Sequence, residues 1–169
     1  IAGIFPKGDK PNGFLFLAFT VLAVFWAIAI HEIGHLAAGI LQGFRFELFV
    51  VGLLGIKRGA NGVKFFLNKN LGYMGGVAAT VPIEQSPTNK RKFAVVLAAG
   101  PLASLLFTVI AFLFLFHSSS GTARGFWFVA GAGSLSVFLA TTVPTKTGFF
   151  FTDRARFQRL LQNGKTGEM

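Results

Sequence analysis

The sequence GFLFLAFTVLAVFWAIAIHEIGHLAAGIL, at residues 13–41, decides the fold of this 169-residue chain. It carries no charge from position 13 to position 30, and after a short polar motif it continues as an apolar segment to Leu41. A helix needs about 20 apolar residues to cross the hydrocarbon core of a bilayer. The stretch is too long for a signal peptide and lacks a small-residue cleavage site, so we interpret it as a membrane-spanning helix.

The composition of the whole chain agrees with a membrane protein. Hydrophobic residues make up 53% of it, 22 residues are Phe, and only 13% are charged, which lies outside the usual range for a soluble domain. Basic residues that face anionic membrane lipids explain the net charge of +10, so no nucleic-acid partner is implied. Because the chain has no cysteine, only His, Asp and Glu side chains remain as strong metal ligands.

Two further apolar segments, residues 93–116 and 125–143, are each long enough to span about 30 Å of hydrocarbon as a helix. With a first span at about 14–41, they predict three membrane crossings. Lys and Arg side chains are concentrated between Arg45 and Lys92, which hold eight of the 16, and after residue 143, which hold five. The positive-inside rule places both of these regions in the cytoplasm.

A β-structure is expected between the first two spans. Apolar and polar side chains alternate from Phe44, and the sequence Arg58-Gly59-Ala60-Asn61-Gly62 is typical of a turn. We therefore predict a β-hairpin at 44–68 and, after the third span, an amphipathic helix at 152–162. The expected fold is one all-α polytopic membrane domain over residues 1–169, with three spanning helices and a small membrane-associated β-hairpin or sheet between the first and second.

The polar motif at the end of the first span is His31-Glu32-Ile33-Gly34-His35. Residues four apart lie one above the other on a helix, so His31 and His35 can direct two ring nitrogens at one ion while Glu32 projects beside them. This arrangement is typical of a zinc hydrolase in which the glutamate is the base. The alternative is a pair of histidines that cap a helix at the membrane interface, but ionisable groups within apolar spans are costly and usually functional.

A catalytic zinc usually has three protein ligands, so the two histidines need a partner. Topology places Asp9 and His117 on the opposite side of the membrane, and Glu168 lies in a polar tail. Glu47, Glu84 and Asp153 remain. Asp153 is favoured because it follows the third span on the same side as the motif, although a carboxylate that begins a helix is an alternative interpretation.

The chain resembles the site-2 protease family of intramembrane zinc metalloproteases, in its short bacterial form without a PDZ domain. Three motifs carry the resemblance, over about residues 14–162: the His31–His35 motif, the sequence Ala99-Gly100-Pro101-Leu102-Ala103-Ser104, and Thr141-Thr142-Val143-Pro144 followed by Thr152-Asp153. The last is similar to an Asn-x-x-Pro and Asp-Gly element whose aspartate is the third zinc ligand of the family.

The resemblance implies a bacterial cell-membrane protein whose site, toward the cytoplasmic side, cleaves a transmembrane segment of a substrate protein. It implies zinc as the cofactor, Asp153 as its third ligand, Glu32 as the base, and Ser104 and Thr141 as candidates for substrate contact. Thr141 and Arg154 depart from the family, which usually has Asn and Gly at these positions. Two alternatives are therefore kept: a catalytically weakened membrane scaffold, and a metal-ion carrier built on the same ligands.

Overall fold

A computed structural model describes residues 13–143, 146–147 and 150–162 of the chain. Three long helices, α1 (Gly13–Leu41), α2 (Asn89–His117) and α3 (Gly121–Thr142), are apolar and long enough to cross a membrane. Both α2 and α3 begin four residues before the expected spans. In α2 the added turn carries basic side chains, which water and lipid headgroups solvate, so the helix continues beyond its apolar part.

The segment between α1 and α2 forms a four-stranded antiparallel sheet rather than a hairpin. Its strands are β1 (Phe44–Val51), β2 (Leu54–Gly59), β3 (Gly62–Leu67) and β4 (Val77–Pro82), in the order β3-β2-β1-β4. The predicted turn lies between β2 and β3. A second turn at Gly52, which has a φ of +57°, divides the predicted first strand into β1 and β2. The mostly helical fold with a small β-structure after the first span is as expected, and the β-structure is a four-stranded sheet.

The three long helices pack through small residues. Buried alanines lie at the centre of the bundle, and a Cβ added to Gly34 of α1 would lie 2.6 Å from the Ala99 carbonyl oxygen and 2.7 Å from the Ala103 Cβ. Gly34 therefore allows α1 and α2 to approach closely where α1 carries its polar motif. Small residues at helix contacts are the usual solution in a membrane, where helix association depends on close packing.

Strand β1 runs back alongside α1. Its first residue, Phe44, packs against Ala38 near the end of α1, whereas Gly52, just after β1, lies beside the Phe25 ring. Short strands β5 (Lys146–Thr147) and β6 (Phe150–Phe151) then lead to α4 (Asp153–Gln162), which contacts α2 and α3. The start of α4 is thereby positioned beside the motif of α1.

Candidate metal centre

The two histidines of the α1 motif are buried within the bundle. His31 is 4% exposed and His35 is 8% exposed, and their rings lie edge to face with centroids 4.9 Å apart. The four-residue spacing places both rings on one helix face. The structure thus gives the pair the arrangement that the sequence predicts for two ligands of one ion.

Asp153, the first residue of α4, completes a triangle with these rings. Its Oδ2 lies 3.0 Å from His31 Nε2 and 3.2 Å from His35 Nε2, and the two nitrogens are 3.2 Å apart. A tetrahedral zinc with ligand bonds of about 2.0–2.1 Å separates its ligand atoms by about 3.3 Å. The three atoms therefore have the spacing of one face of a metal-coordination tetrahedron.

The second nitrogen of each ring is held by a partner in α2. His35 Nδ1 lies 2.7 Å from the Val96 carbonyl oxygen, and His31 Nδ1 lies 2.9 Å from Ser104 Oγ. A carbonyl can only accept, so His35 Nδ1 donates and the neutral ring presents a lone pair at Nε2. If His31 Nδ1 donates to Ser104 in the same way, three electron-rich atoms converge, which is the donor set that a divalent cation requires.

Asp153 is 9% exposed, and its surroundings favour the carboxylate form. Burial alone opposes ionisation, but without a metal the His31 and His35 rings can carry a proton at Nε2, and the hydrogen bonds and charges of the protonated rings then hold the pKa of the Asp153 carboxyl well below its ordinary value. Its neighbour Arg154 is exposed and forms no ion pair with any described residue. Arg154 therefore does not compete with His31 and His35 for the Asp153 carboxylate.

Glu32 lies on the flank of the motif, between α1 and β4, and is 8% exposed. Gly76, with a φ of +102°, passes so close that an added Cβ would lie 2.7 Å from Glu32 Oε1. The backbone of Ala78 hydrogen-bonds to the same carboxylate. A glycine is therefore required at position 76, both for its backbone angle and for the space beside Glu32.

These groups face one cavity of about 570 Å³. Its walls come from α1, α2, α3, α4 and β4, and its polar side chains are His31, Glu32, His35, Thr80, Thr141, Thr152, Asp153 and Arg156. The Thr141 hydroxyl donates to the Val137 carbonyl oxygen at 2.9 Å, so its proton is engaged within α3. Thr141, one of the two predicted substrate contacts, lines the cavity, but its hydroxyl proton already forms a hydrogen bond within α3.

Ser104 occupies a different place from the one expected. It is fully buried, and its hydroxyl lies behind His31, away from the cavity. The backbone carbonyl of Ser104 accepts hydrogen bonds from Thr108 and Ser134, which fixes this part of α2 against α3. In the structure the Ser104 hydroxyl is the partner of the His31 ring, and its role in substrate contact stays a prediction.

The other candidate ligands lie apart from the triangle. Glu47 pairs with Arg45 on the sheet at 2.6 Å, Glu84 is exposed in the loop before α2, and His117 is exposed at the far end of α2. Asp9 and Glu168 lie outside the described residues. Among described residues, His31, His35 and Asp153 form the group that can hold a metal.

Several contributors to the site were missed by the sequence interpretation. Gly100 has no role in the sequence analysis beyond its place in the motif at residues 99–104, yet a Cβ there would overlap the His35 ring at Nε2. The Val96 carbonyl lies one turn before Gly100, and Pro101 removes the N–H that would bond to the adjacent Leu97 carbonyl, so the helical hydrogen bonds are loosened in this turn. The Gly100-Pro101 pair in the sequence thus indicates a place where the His35 ring can pack against α2.

Comparison with known families agrees with this geometry. The family model described as peptidase family M50 matches residues 19–166, which includes the motif of α1 and the start of α4. This is the site-2 protease family that the sequence motifs resemble. No curated protein and no solved structure gives a significant match.

Proposed function

The chain belongs to peptidase family M50, and we propose that it is an intramembrane zinc metalloprotease that hydrolyses a peptide bond in or near a transmembrane segment of another protein. The observation that carries the proposal is the triangle of His31 Nε2, His35 Nε2 and Asp153 Oδ2, with separations of 3.0–3.2 Å, in the same cavity as the Glu32 carboxylate. Two neutral imidazoles, one carboxylate and an adjacent glutamate match the requirements of metal-assisted hydrolysis.

His31, His35 and Asp153 would hold the zinc ion. When bound, zinc acts as a Lewis acid that polarises a carbonyl and lowers the pKa of water to about 7. Val96 and Ser104 keep each imidazole oriented with Nε2 toward the site. The hydrogen bonds to α2 therefore prepare the ligand set before any ion arrives.

Glu32 acts as the base. Its carboxylate takes the proton from the attacking water and then delivers it to the leaving amine. The space beside Gly76 and the backbone of Ala78 fix the carboxylate next to the cavity. Glu32 suits both proton transfers because its carboxylate can accept and release a proton and is not one of the proposed zinc ligands.

The substrate helix has to unwind locally before attack, because amides in a transmembrane helix are internally hydrogen-bonded and costly to release in lipid. Strand β4 is a sheet edge, pairs with β1 on one side only, and lines the cavity with residues 77–80. We infer that an unwound substrate pairs with β4 as an added strand. Strands β1 and β2 are paired on both sides, so among the strands of this sheet β4 is the one with a free edge beside the cavity.

The basic residues between α1 and α2 and those of α4 support a location of this site toward the cytoplasmic side of a bacterial cell membrane. The partner is then a membrane protein whose spanning segment is cleaved from that side, in regulated intramembrane proteolysis. The alternative of a catalytically weakened scaffold is based partly on Arg154 beside Asp153. This basis is weaker in the structure, because Arg154 is exposed and does not pair with Asp153.

The variant Glu32→Gln tests the proposal. It keeps the size of the side chain and leaves the three ligands in place, so the zinc content should equal that of the wild type while cleavage falls by at least about 100-fold. The assay is co-reconstitution with a library of single-span membrane peptides, read by mass spectrometry.

Cleavage that is unchanged in the Glu32→Gln protein rejects the protease proposal. Zinc flux into proteoliposomes that persists in this variant would support the metal-ion carrier instead. Zinc content measured on the same samples separates a loss of the base from a loss of the metal.

A further inference from the structure

A second cavity, of about 620 Å³, lies on the opposite flank of the sheet from the metal site. It is an apolar groove between α1 and strands β1–β3, and no residue of α2, α3 or α4 lines it. Trp26 and Ile33 form part of the α1 wall and are 47% and 45% exposed, and Phe65 of β3 is 82% exposed. The groove therefore opens away from the helical bundle, toward the surroundings of the protein.

The hairpin that forms one wall of this groove ends in a cluster of cations. Lys57 and Lys64 face each other across β2 and β3, and Arg58 follows Lys57. All three side chains are exposed, and no carboxylate of a described residue pairs with them. Alternation along β2 places Arg58 on the same face as Ile56, which lines the groove. Lys57 and its partner Lys64 lie on the opposite face, where the Lys57 Nζ is 5.2 Å from the centre of the Phe66 ring. A positive charge therefore lies at one end of an apolar groove.

The orientation of the sheet places this cluster at a membrane interface. Phe44 and Gly52 lie beside Ala38 and Phe25 of α1, two positions about 20 Å apart along the helix. Because β2 is antiparallel to β1, its end returns to the level of the C-terminus of α1. On α1 the groove runs from Ile33, about 12 Å before the C-terminus of the helix, to Phe25 near the middle of the span.

We propose that this groove binds an anionic phospholipid, with one acyl chain against Trp26 and the phosphate against Arg58, while Lys57 and Lys64 add positive charge at the same end of the hairpin. An acyl chain needs apolar walls without hydrogen-bonding groups, and apart from the Trp26 indole the lining side chains are apolar. A phosphate needs cations that are not already neutralised, which the hairpin provides. The charge at the end of the groove favours a lipid over the apolar segment of a second protein.

The chain contains two tryptophans, which makes the proposal testable by fluorescence. Trp26 lines the groove, whereas Trp127 stacks on Phe114 with ring centroids 4.8 Å apart. The variant W127F, reconstituted in vesicles, reports on Trp26 alone. Phosphatidylglycerol brominated on its acyl chains should quench Trp26 more strongly than equally brominated phosphatidylcholine at the same mole fraction. The variant W26F should show no such preference.

Variants that lack these charges distinguish a specific lipid site from general electrostatic attraction between the protein and the membrane surface. Replacing Lys57, Arg58 and Lys64 together by Gln should lower the preference for phosphatidylglycerol at Trp26 by at least about tenfold. Two controls should leave it unchanged: replacement of Lys90, Arg91 and Lys92 at the start of α2 by Gln, and K69Q beyond the opposite end of β3. Equal effects of the two triple variants would overturn the proposal, because any basic surface would then suffice.

The remaining outcomes are also decisive. Equal quenching by both lipids means that bulk lipid fills the groove, and absence of quenching by either means that a protein surface, such as a second copy, covers Trp26. Native mass spectrometry of the unmodified chain gives an independent measurement. Retention of phosphatidylglycerol by the wild type and its loss in the hairpin variant support the site, whereas equal retention by both contradicts it.

Discussion

At the scale of single residues, the site depends on how α2 holds the two histidines. His35 is fixed by a backbone carbonyl, which no side-chain substitution removes directly, whereas His31 is fixed by the Ser104 hydroxyl. Ser104 is fully buried, so water does not readily replace it. The orientation of His31 is therefore the part of the ligand set that a single mutation can release.

We expect Ser104→Ala to lower zinc affinity by about 10- to 100-fold, the usual effect of removing the partner of a ligating histidine. The measurement is zinc retention against a competing chelator, compared with the wild type. Ser136→Ala is the matched control, because Ser136 lies on the exposed side of α3 and bonds only within its own helix at the Ala132 carbonyl. Equal zinc affinity in Ser104→Ala and the wild type would show that the hydroxyl does not position His31.

Asp153 is the proposed ligand that comes from the far end of the chain. Asp153→Ala leaves only the two histidine nitrogens as protein ligands, so the affinity for zinc should fall. The purified variant should lose its zinc under conditions in which the wild type keeps it. Metal analysis of both proteins checks this expectation. Arg154→Gln serves as control and should keep its zinc, since the arginine side chain is exposed. Unchanged zinc content in Asp153→Ala would return the search for a third ligand to other carboxylates.

At the scale of secondary-structure elements, the sequence was informative where the signal is local. A charge-free apolar run predicts α1, and the four-residue spacing predicts that His31 and His35 share a face of it. The turn at residues 59–62 is local as well, and β2 and β3 pair around it. Strand β4 was not predicted, because its pairing with β1 crosses 26 intervening residues and includes a bulge between Phe46 and Leu48. Pairing over such distances leaves no periodic signal.

The contact between α1 and α2 was also underestimated from sequence. In a sequence, a small residue such as Gly100 can indicate the close approach of either a neighbouring helix or a functional side chain. Only the folded structure shows that the His35 ring packs against Gly100. Gly76 presents the same ambiguity beside Glu32. The ligands could be proposed from the sequence, while the surfaces that hold them depended on tertiary packing.

Gly100→Ala tests this packing at the level of the helix pair. The added methyl group would overlap the His35 ring, so either the ring moves and zinc is lost, or α1 and α2 separate at a cost of about 1–3 kcal/mol of stability. Zinc content and thermal unfolding measure the two effects. Gly133→Ala is the control, because a Cβ there would lie 3.7 Å from the Ala27 Cβ, an ordinary contact. Normal zinc content and stability in Gly100→Ala would contradict the assigned contact.

At the scale of the whole molecule, the distribution of charge predicts how the protein lies in its membrane. The β2–β3 turn and the turn between α2 and α3 should lie on opposite sides, because one spanning helix separates them. Eight of the 16 basic residues lie in the sequence between α1 and the first turn of α2, whereas the other side of the membrane receives three: Lys7 and Lys10, which precede α1 in the sequence, and Arg124 in the first turn of α3. Positive charge is retained on the cytoplasmic side, so the sheet and the metal site should face it.

The absence of cysteine from the sequence allows a direct test with single cysteines. Asn61→Cys in the β2–β3 turn and Ser119→Cys in the turn before α3 are both at exposed positions. A membrane-impermeant maleimide should label Ser119→Cys in intact spheroplasts and Asn61→Cys only in inverted vesicles. Labelling of Asn61→Cys from the outer side would reverse the orientation, and the peptide bond proposed for cleavage would then be reached from outside the cell. The unmodified chain, which has no thiol, measures the background.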